Sequence, residues 1–132
     1  MTEPSAGDGE FTDDGFLDGA LSVLQPKRGH RATSDAVLLA ASLSARPGER
    51  VLDAGSGAGI VALAAARRLS EVGFAGIEIE LRLVALAREN ARRNGLAARV
   101  DFAAGDLLAE GGESFDHVIS NPPFHDLLTA PP

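Results

Sequence analysis

The chain contains no cysteine, tryptophan or tyrosine, and one methionine in 132 residues. Without cysteine there is no disulfide and no thiolate zinc site, which suits a reducing, cytoplasmic compartment. Phenylalanine is the sole aromatic, six in all, so alanine, leucine and valine must fill the core. The sequence opens with no basic stretch followed by an apolar run, and a signal peptide is not expected. No apolar run approaches the ~20 residues that cross a bilayer, so no membrane partner is expected. Nothing in the sequence calls for a metal.

Net charge is −7, which taken alone argues against a nucleic-acid partner. The charge is uneven, however. Residues 1–18 hold six acids and no Lys or Arg, and the other 114 hold 13 acids and 12 bases. The part expected to fold is therefore close to neutral. It carries local basic clusters at Lys27, Arg28 and Arg31 and at Arg92 and Arg93. An acidic tail is compatible with a solubilising role, so overall charge does not decide the partner.

At 132 residues, 45% hydrophobic and 23% charged, the composition is that of one globular domain. Residues 1–10 are polar and rich in turn formers, and disorder is expected there. Residues 11–47 read as a hairpin and a helix. Asp18-Gly19 between two apolar-containing runs predicts a two-residue turn. Thr33 or Ser34 caps the following helix, Asp35 favours its first turn, and Pro47-Gly48 ends the segment. Residues 48–132 alternate. "RVLDAG", "GFAGIEIE", "ARVDFAAGD" and "FDHVIS" read as strands. "AGIVALAAARRLS" and "LRLVALARENARRNG" read as helices, the second closed by Gly95 in a left-handed cap. Strands alternating with helices of this length predict an α/β fold, a doubly wound and mainly parallel sheet.

The strongest feature is "VLDAGSGAG", Val51 to Gly59. A buried strand ends in Asp53, Gly55, Gly57 and Gly59 follow at alternate positions, and a helix begins. One glycine makes the tight turn, one admits a ligand close to the backbone, and one lets the helix start pack tightly. The dinucleotide fingerprint G-x-G-x-x-G is not met, because Ile60 stands where its last glycine belongs. That disfavours a nicotinamide dehydrogenase. An acid beside the loop repels a pyrophosphate and suits a cationic ligand such as the ammonium of an amino acid.

This D-x-G-x-G-x-G spacing resembles that of S-adenosylmethionine-dependent methyltransferases, which implies their Rossmann-like fold. Later positions agree with the resemblance. Glu78, at the end of the second strand of this half, is placed to accept from both ribose hydroxyls, with Glu80 a rival two residues on. Asp106, after the third strand, matches the acid that contacts the adenine amino group in that family.

"NPPF", Asn121, Pro122, Pro123 and Phe124, follows the fourth strand. It resembles the tetrad of methyltransferases that alkylate an exocyclic amine or amide nitrogen. The lone pair of an aryl amine is delocalised into its ring. Two acceptors facing its hydrogens, Asn121 Oδ1 and the Pro122 carbonyl, hold the amine and localise that pair. Proline removes a backbone donor and stops the ladder. Phe124 can stack on a base. By itself, an asparagine before two prolines is also an ordinary strand terminator.

Residues 11–126 as a whole resemble the N-terminal part of the bacterial tRNA1(Val) adenine-37-N6 methyltransferase family. The segment from Gln25 to Ala41 matches one that covers the cofactor's methionine end in similar enzymes, with Arg31 through Asp35 the nearest matches. The resemblance implies S-adenosylmethionine as cofactor and an RNA substrate, first of all a tRNA. The same tetrad occurs in methyltransferases of guanine N2 in ribosomal RNA and of release-factor glutamine. A non-catalytic cofactor-binding module is the reading from another class. His117 and His125 are not required by the mechanism. The resembled fold has seven strands, so the remaining strands of its sheet are expected to be missing from this chain.

Overall fold

The structure is a computed structural model that describes residues 11–17, 19–27, 34–105 and 114–121. Two strands, β1 (Phe11–Phe16) and β2 (Leu21–Pro26), form an antiparallel hairpin. Helix α1 (Ser34–Ser42) leads to the alternating half: β3 (Arg50–Ala54), α2 (Ile60–Arg68), β4 (Gly73–Glu78), α3 (Leu81–Arg93), β5 (Val100–Ala104) and β6 (His117–Ser120).

The last four strands make one parallel sheet in the order β5-β4-β3-β6. The chain winds outward from β3 first through β4 to β5, then returns to the other side of β3 for β6. This is the doubly wound topology, and its switch point lies between β3 and β6. Ligands of open α/β sheets bind at the carboxyl ends of the strands at that point.

One sheet face carries Val51, Phe74, Val100, Phe102 and Ile119, and these join the main apolar core with α2 and α3. Phe102 is 1% exposed, and burial of its ring contributes roughly 2–3 kcal/mol. Helix α2 is apolar nearly all round and buries seven consecutive residues, Ile60 to Ala66. It is enclosed by the sheet, α1 and the hairpin, as a helix without a polar face must be. Helix α3 is amphipathic. It closes with Gly95 at φ +70°, with Gly95 N–H donating to Arg92 O at 3.1 Å and Leu96 N–H to Ala91 O at 2.8 Å. That is the expected left-handed cap, in its two-bond form.

Two expectations about the first third are corrected. Strand pairing closes at Phe16 opposite Leu21, which leaves four residues in the hairpin connection rather than two. Gly19 N–H donates back to Phe16 O and Ala20 N–H to Leu17 O, and Leu17 takes φ +54°. A left-handed residue before the glycine is what lengthens the turn. Asp18 itself lies outside the described residues. Helix α1 stops at Ser42, ahead of Pro47-Gly48, and the Arg68 guanidinium from α2 satisfies the carbonyls of Ala40 and Leu43 at that end.

The amino edge of the sheet is knitted by polar pairs. Arg50 N–H donates to Asp116 Oδ2, and Asp116 N–H donates to Arg50 O. Glu49 Oε1 accepts from Arg46 N–H at 2.7 Å and lies 3.0 Å from His117 Nε2. Arg99 donates to Ala66 O, Leu69 O and Val72 O, collecting carbonyls where α2 ends. The basic pair on α3 is engaged as well: Arg92 binds Glu89, and Arg93 binds Asp13 of the hairpin at 2.7 Å.

Candidate functional site

The site grows from the end of β3. Gly55, Gly57 and Gly59 hold φ of +72°, +56° and +94°, a region that side chains with a Cβ enter at a cost of roughly 1–2 kcal/mol. They differ in what surrounds them. A Cβ on Gly55 or Gly57 would meet no atom of the described residues within 4 Å, which leaves room among them for a ligand to lie against the backbone. A Cβ on Gly59 would sit 2.7 Å from Phe102 Cζ, so this glycine serves packing. Gly76 has the same duty across the sheet, its Cβ position falling 2.5 Å from Phe102 Cδ1 and 2.8 Å from Ser56 Cβ. The packing role of the third loop glycine was readable from the sequence. Gly76 was not singled out there, although a glycine inside a strand signals a close approach.

Four of the loop's N–H groups are already occupied. Gly55 and Ser56 donate to Ile77 O at 2.8 and 3.0 Å, and Gly59 donates to Ser56 O at 2.9 Å. Gly57 donates to Glu78 Oε1 at 2.8 Å. A phosphate-binding loop keeps such donors for its ligand. This one spends them inside the protein and is backed by two acids, which disfavours a pyrophosphate on geometric grounds as well.

Glu78 is buried at the end of β4. Oε1 takes the loop amide, and Oε2 accepts Glu80 N–H at 2.9 Å, just before α3. Each carboxylate oxygen keeps a lone pair, since each has about two acceptor sites. Glu80, the rival position, is exposed and lies beyond the strand. Immediately after Glu78, Ile79 and Leu81 are 72% and 71% exposed, an apolar surface beside the carboxylate.

Asp53 does not lie on the open surface of the loop. It is 1% exposed and lies beneath the loop against α2. The backbone amide of Ala62, in the first turn of α2, favours its charged form; the helix's own N-cap, Gly59, makes no side-chain cap bond. Among the described residues, Asp53 Oδ2 is buried without a partner, as is Ser56 Oγ in the loop. Burial pushes the Asp53 carboxyl up to about 7; the Ala62 amide opposes this, and the nearby charge of Glu78 adds to it.

Asn121 arrives by register. Ala54 is opposite Ser120, so the next residues on the two strands, Gly55 and Asn121, leave the sheet side by side. Asn121 is half-buried there. Pro122, Pro123 and Phe124 lie outside the described residues, as do Arg31 and Asp106. Gly105, which precedes Asp106, donates to the Glu78 carbonyl at 3.1 Å. Asp35 is exposed in the first turn of α1. The structure thus gathers Asp53, the three glycines, Glu78 and Asn121 at one sheet edge.

The arrangement suits a ligand with a cationic end and hydroxyls. It presents an open backbone path at Gly55 and Gly57, spare lone pairs on Glu78, and two unpartnered buried oxygens. S-adenosylmethionine has these features, and the residues fit it.

Comparison with known proteins agrees with this geometry. The methyltransferase small domain family matches residues 31–130. A ribosomal protein L11 methyltransferase of Deinococcus radiodurans is 38% identical over 107 residues, covering 76% of this chain and 39% of the relative. A tRNA1(Val) (adenine(37)-N6)-methyltransferase of Bacteroides thetaiotaomicron is 34% identical over 113 residues, covering 83% of this chain and 48% of the relative. The chain therefore spans less than half of either curated relative. Among solved structures, an RNA methyltransferase from Salinibacter ruber in complex with S-adenosyl-L-homocysteine superposes with a TM-score of 0.62 at 28% identity, over 70% of this chain and 60% of that one. The chain belongs to the methyltransferase small domain family.

Proposed function

We propose that this chain carries the cofactor-binding half and the amine-receiving asparagine of an S-adenosylmethionine-dependent N-methyltransferase. Its substrate is an exocyclic nucleobase amine in RNA, with adenine N6 of a tRNA the first choice, and its place is the cytoplasm. The observation that carries this reading is the juxtaposition of Asn121 with a glycine loop whose Gly55, Ser56, Gly57 and Gly59 donors are spent and whose backing is acidic.

S-adenosylmethionine, when bound, supplies an electrophilic methyl on a sulfonium. The chain's residues do the rest by placement. Gly55 and Gly57 let the cofactor lie along the backbone, and Glu78 accepts from its ribose hydroxyls. Ile79 and Leu81 offer an apolar surface to its base. Asn121 Oδ1, with the Pro122 carbonyl, accepts the two amine hydrogens and turns the nitrogen lone pair toward the methyl carbon. With the cofactor bound, that nitrogen would take the methyl carbon as the carbon–sulfur bond breaks, the bonding pair remaining with sulfur. The proton left on nitrogen departs to solvent after attack, so no strong base is needed. Alignment near 3 Å is the main contribution of such a site.

A second reading takes a protein amide or amine as substrate. It is favoured by the similarity to the Deinococcus radiodurans relative, whose name specifies a ribosomal protein. Calorimetric titration with S-adenosylhomocysteine tests the cofactor site; absence of heat from folded protein sinks it. A methyl-transfer assay of the longest natural form against total tRNA, ribosomal RNA and ribosomal protein, with the product identified by mass, decides the substrate. Asn121→Ala should lower transfer by roughly 100-fold at unchanged cofactor affinity, and a wild-type rate would remove the proposed amine clamp.

A further inference from the structure

Asn90 lies in the last turn of α3, fully buried, where its side chain bonds no residue of its own helix. Asparagine is unfavourable in a helix interior unless its amide is otherwise engaged. Here every group is used. Oδ1 accepts Leu24 N–H at 2.8 Å, and Nδ2 donates to Leu24 O at 3.0 Å and to Ala58 O at 2.9 Å. Turning the amide over would set its oxygen against two carbonyls, so the network fixes its orientation. Leu24 belongs to β2, and Ala58 lies between Gly57 and Gly59. Phe11, Leu24 and Leu86 pack with Ala58 around this amide.

Asn94, one turn on, provides an internal contrast. Its Oδ1 accepts Ser22 N–H at 3.0 Å, and its Nδ2 donates to Ser22 O at 2.7 Å. Its second donor returns to Asn90 O on its own helix. Ser22 and Leu24 are alternate residues of β2, so the two amides close the strand's free edge in the manner of a neighbouring strand. They differ in one bond: Asn90 holds the glycine loop, and Asn94 does not.

We infer that Asn90 is a positioning residue for the cofactor loop, coupling the docking of the β1–β2 hairpin to the shape of the loop that receives the cofactor. Gly57 and Gly59 leave the backbone on either side of Ala58 free to rotate. The Asn90 amide fixes the Ala58 carbonyl and thereby the turn in which Gly57 N–H reaches Glu78. The inference rests on the proposed cofactor site, and its test separates the two.

The test compares Asn90→Ala with Asn94→Ala in the full chain. Both should lower the melting temperature, since both loosen the hairpin. Asn90→Ala should weaken S-adenosylhomocysteine binding by about tenfold or more, while Asn94→Ala stays within about twofold of wild type. Equal losses, or no loss at Asn90, overturn the inference. Two further measurements hold even if Asn90→Ala folds poorly or the ligand fails to bind. In unmutated protein, added S-adenosylhomocysteine should slow exchange of the Asn90 carboxamide protons and leave those of Asn94 unchanged; equal responses overturn the coupling. Without ligand, Asn90→Ala or the milder Asn90→Ser should speed amide exchange at Gly57 and Gly59, and Asn94→Ala should not. Wild type that does not bind the ligand refutes the cofactor site, and the exchange comparison still decides the role of Asn90.

Discussion

The two edges of the parallel sheet are built from the same four strands and treat polar atoms in opposite ways. At the amino edge, Glu49, Asp116 and Arg99 all find partners within the chain. At the carboxyl edge, Asp53 Oδ2 and Ser56 Oγ are buried and have no partner among the described residues, and two acids lie close enough for one to raise the proton affinity of the other. Buried polar groups are normally satisfied, so an edge that leaves two open is arranged for something other than stability. The amino edge holds the sheet together, whereas the carboxyl edge is held ready by it.

The contrast is most exposed to test at Asp53. Its carboxyl is near 3.8 in the unfolded chain and about 7 when folded. Between those values the folded state binds a proton that the unfolded state has lost. Ligand-free stability should therefore fall as pH rises from 4 to 7, by roughly 4 kcal/mol at most. Asp53→Asn should flatten that slope in thermal melts between pH 5 and 8, and weaken S-adenosylhomocysteine binding at pH 8. A slope that persists in the variant places the titration elsewhere.

At the opposite edge, Arg99→Ala strips three carbonyls of their donor. It should cost roughly 1–3 kcal/mol in urea unfolding and leave cofactor affinity unchanged. Loss of affinity there would dissolve the distinction between the edges. The smallest effect is expected at His117→Ala, which removes a half-exposed partner of Glu49. Melting should barely move and affinity should remain within about twofold. These three results, together with Asn121→Ala and the pair of asparagine variants, ask whether ligand affinity follows the unsatisfied edge alone.

What the sequence disclosed follows from locality. Gly55, Gly57 and Gly59 announce themselves because left-handed backbone favours glycine within a few residues of a strand end. The positions of Glu78 and Gly95 follow from strand and helix periodicity. The four-residue hairpin connection was misjudged because an Asp-Gly pair signals a turn without fixing where strand pairing stops. Gly76 and Phe102 are 26 residues apart, and their interlock exists only once β4 and β5 are neighbours. The roles of Asn90 and Asn94 were not visible, because their β2 partners lie more than 60 residues away and Ala58 lies 32 residues from Asn90. The burial of Asp53 was hidden too: a strand residue shows its alternation but not the height of the helix above it.

The pairing of Ala54 with Ser120 has one more consequence. Parallel strands advance about 3.3 Å per residue, so a slip of one position would move Asn121 by about the length of a hydrogen bond relative to Gly55. The spacing between the two loops is thus a ruler marked in backbone hydrogen bonds. Insertions or deletions in the connection between β5 and β6 change how the chain reaches that ruler without changing where it reads. That connection is where variants altering substrate reach could be built while the distance from loop to asparagine stays constant.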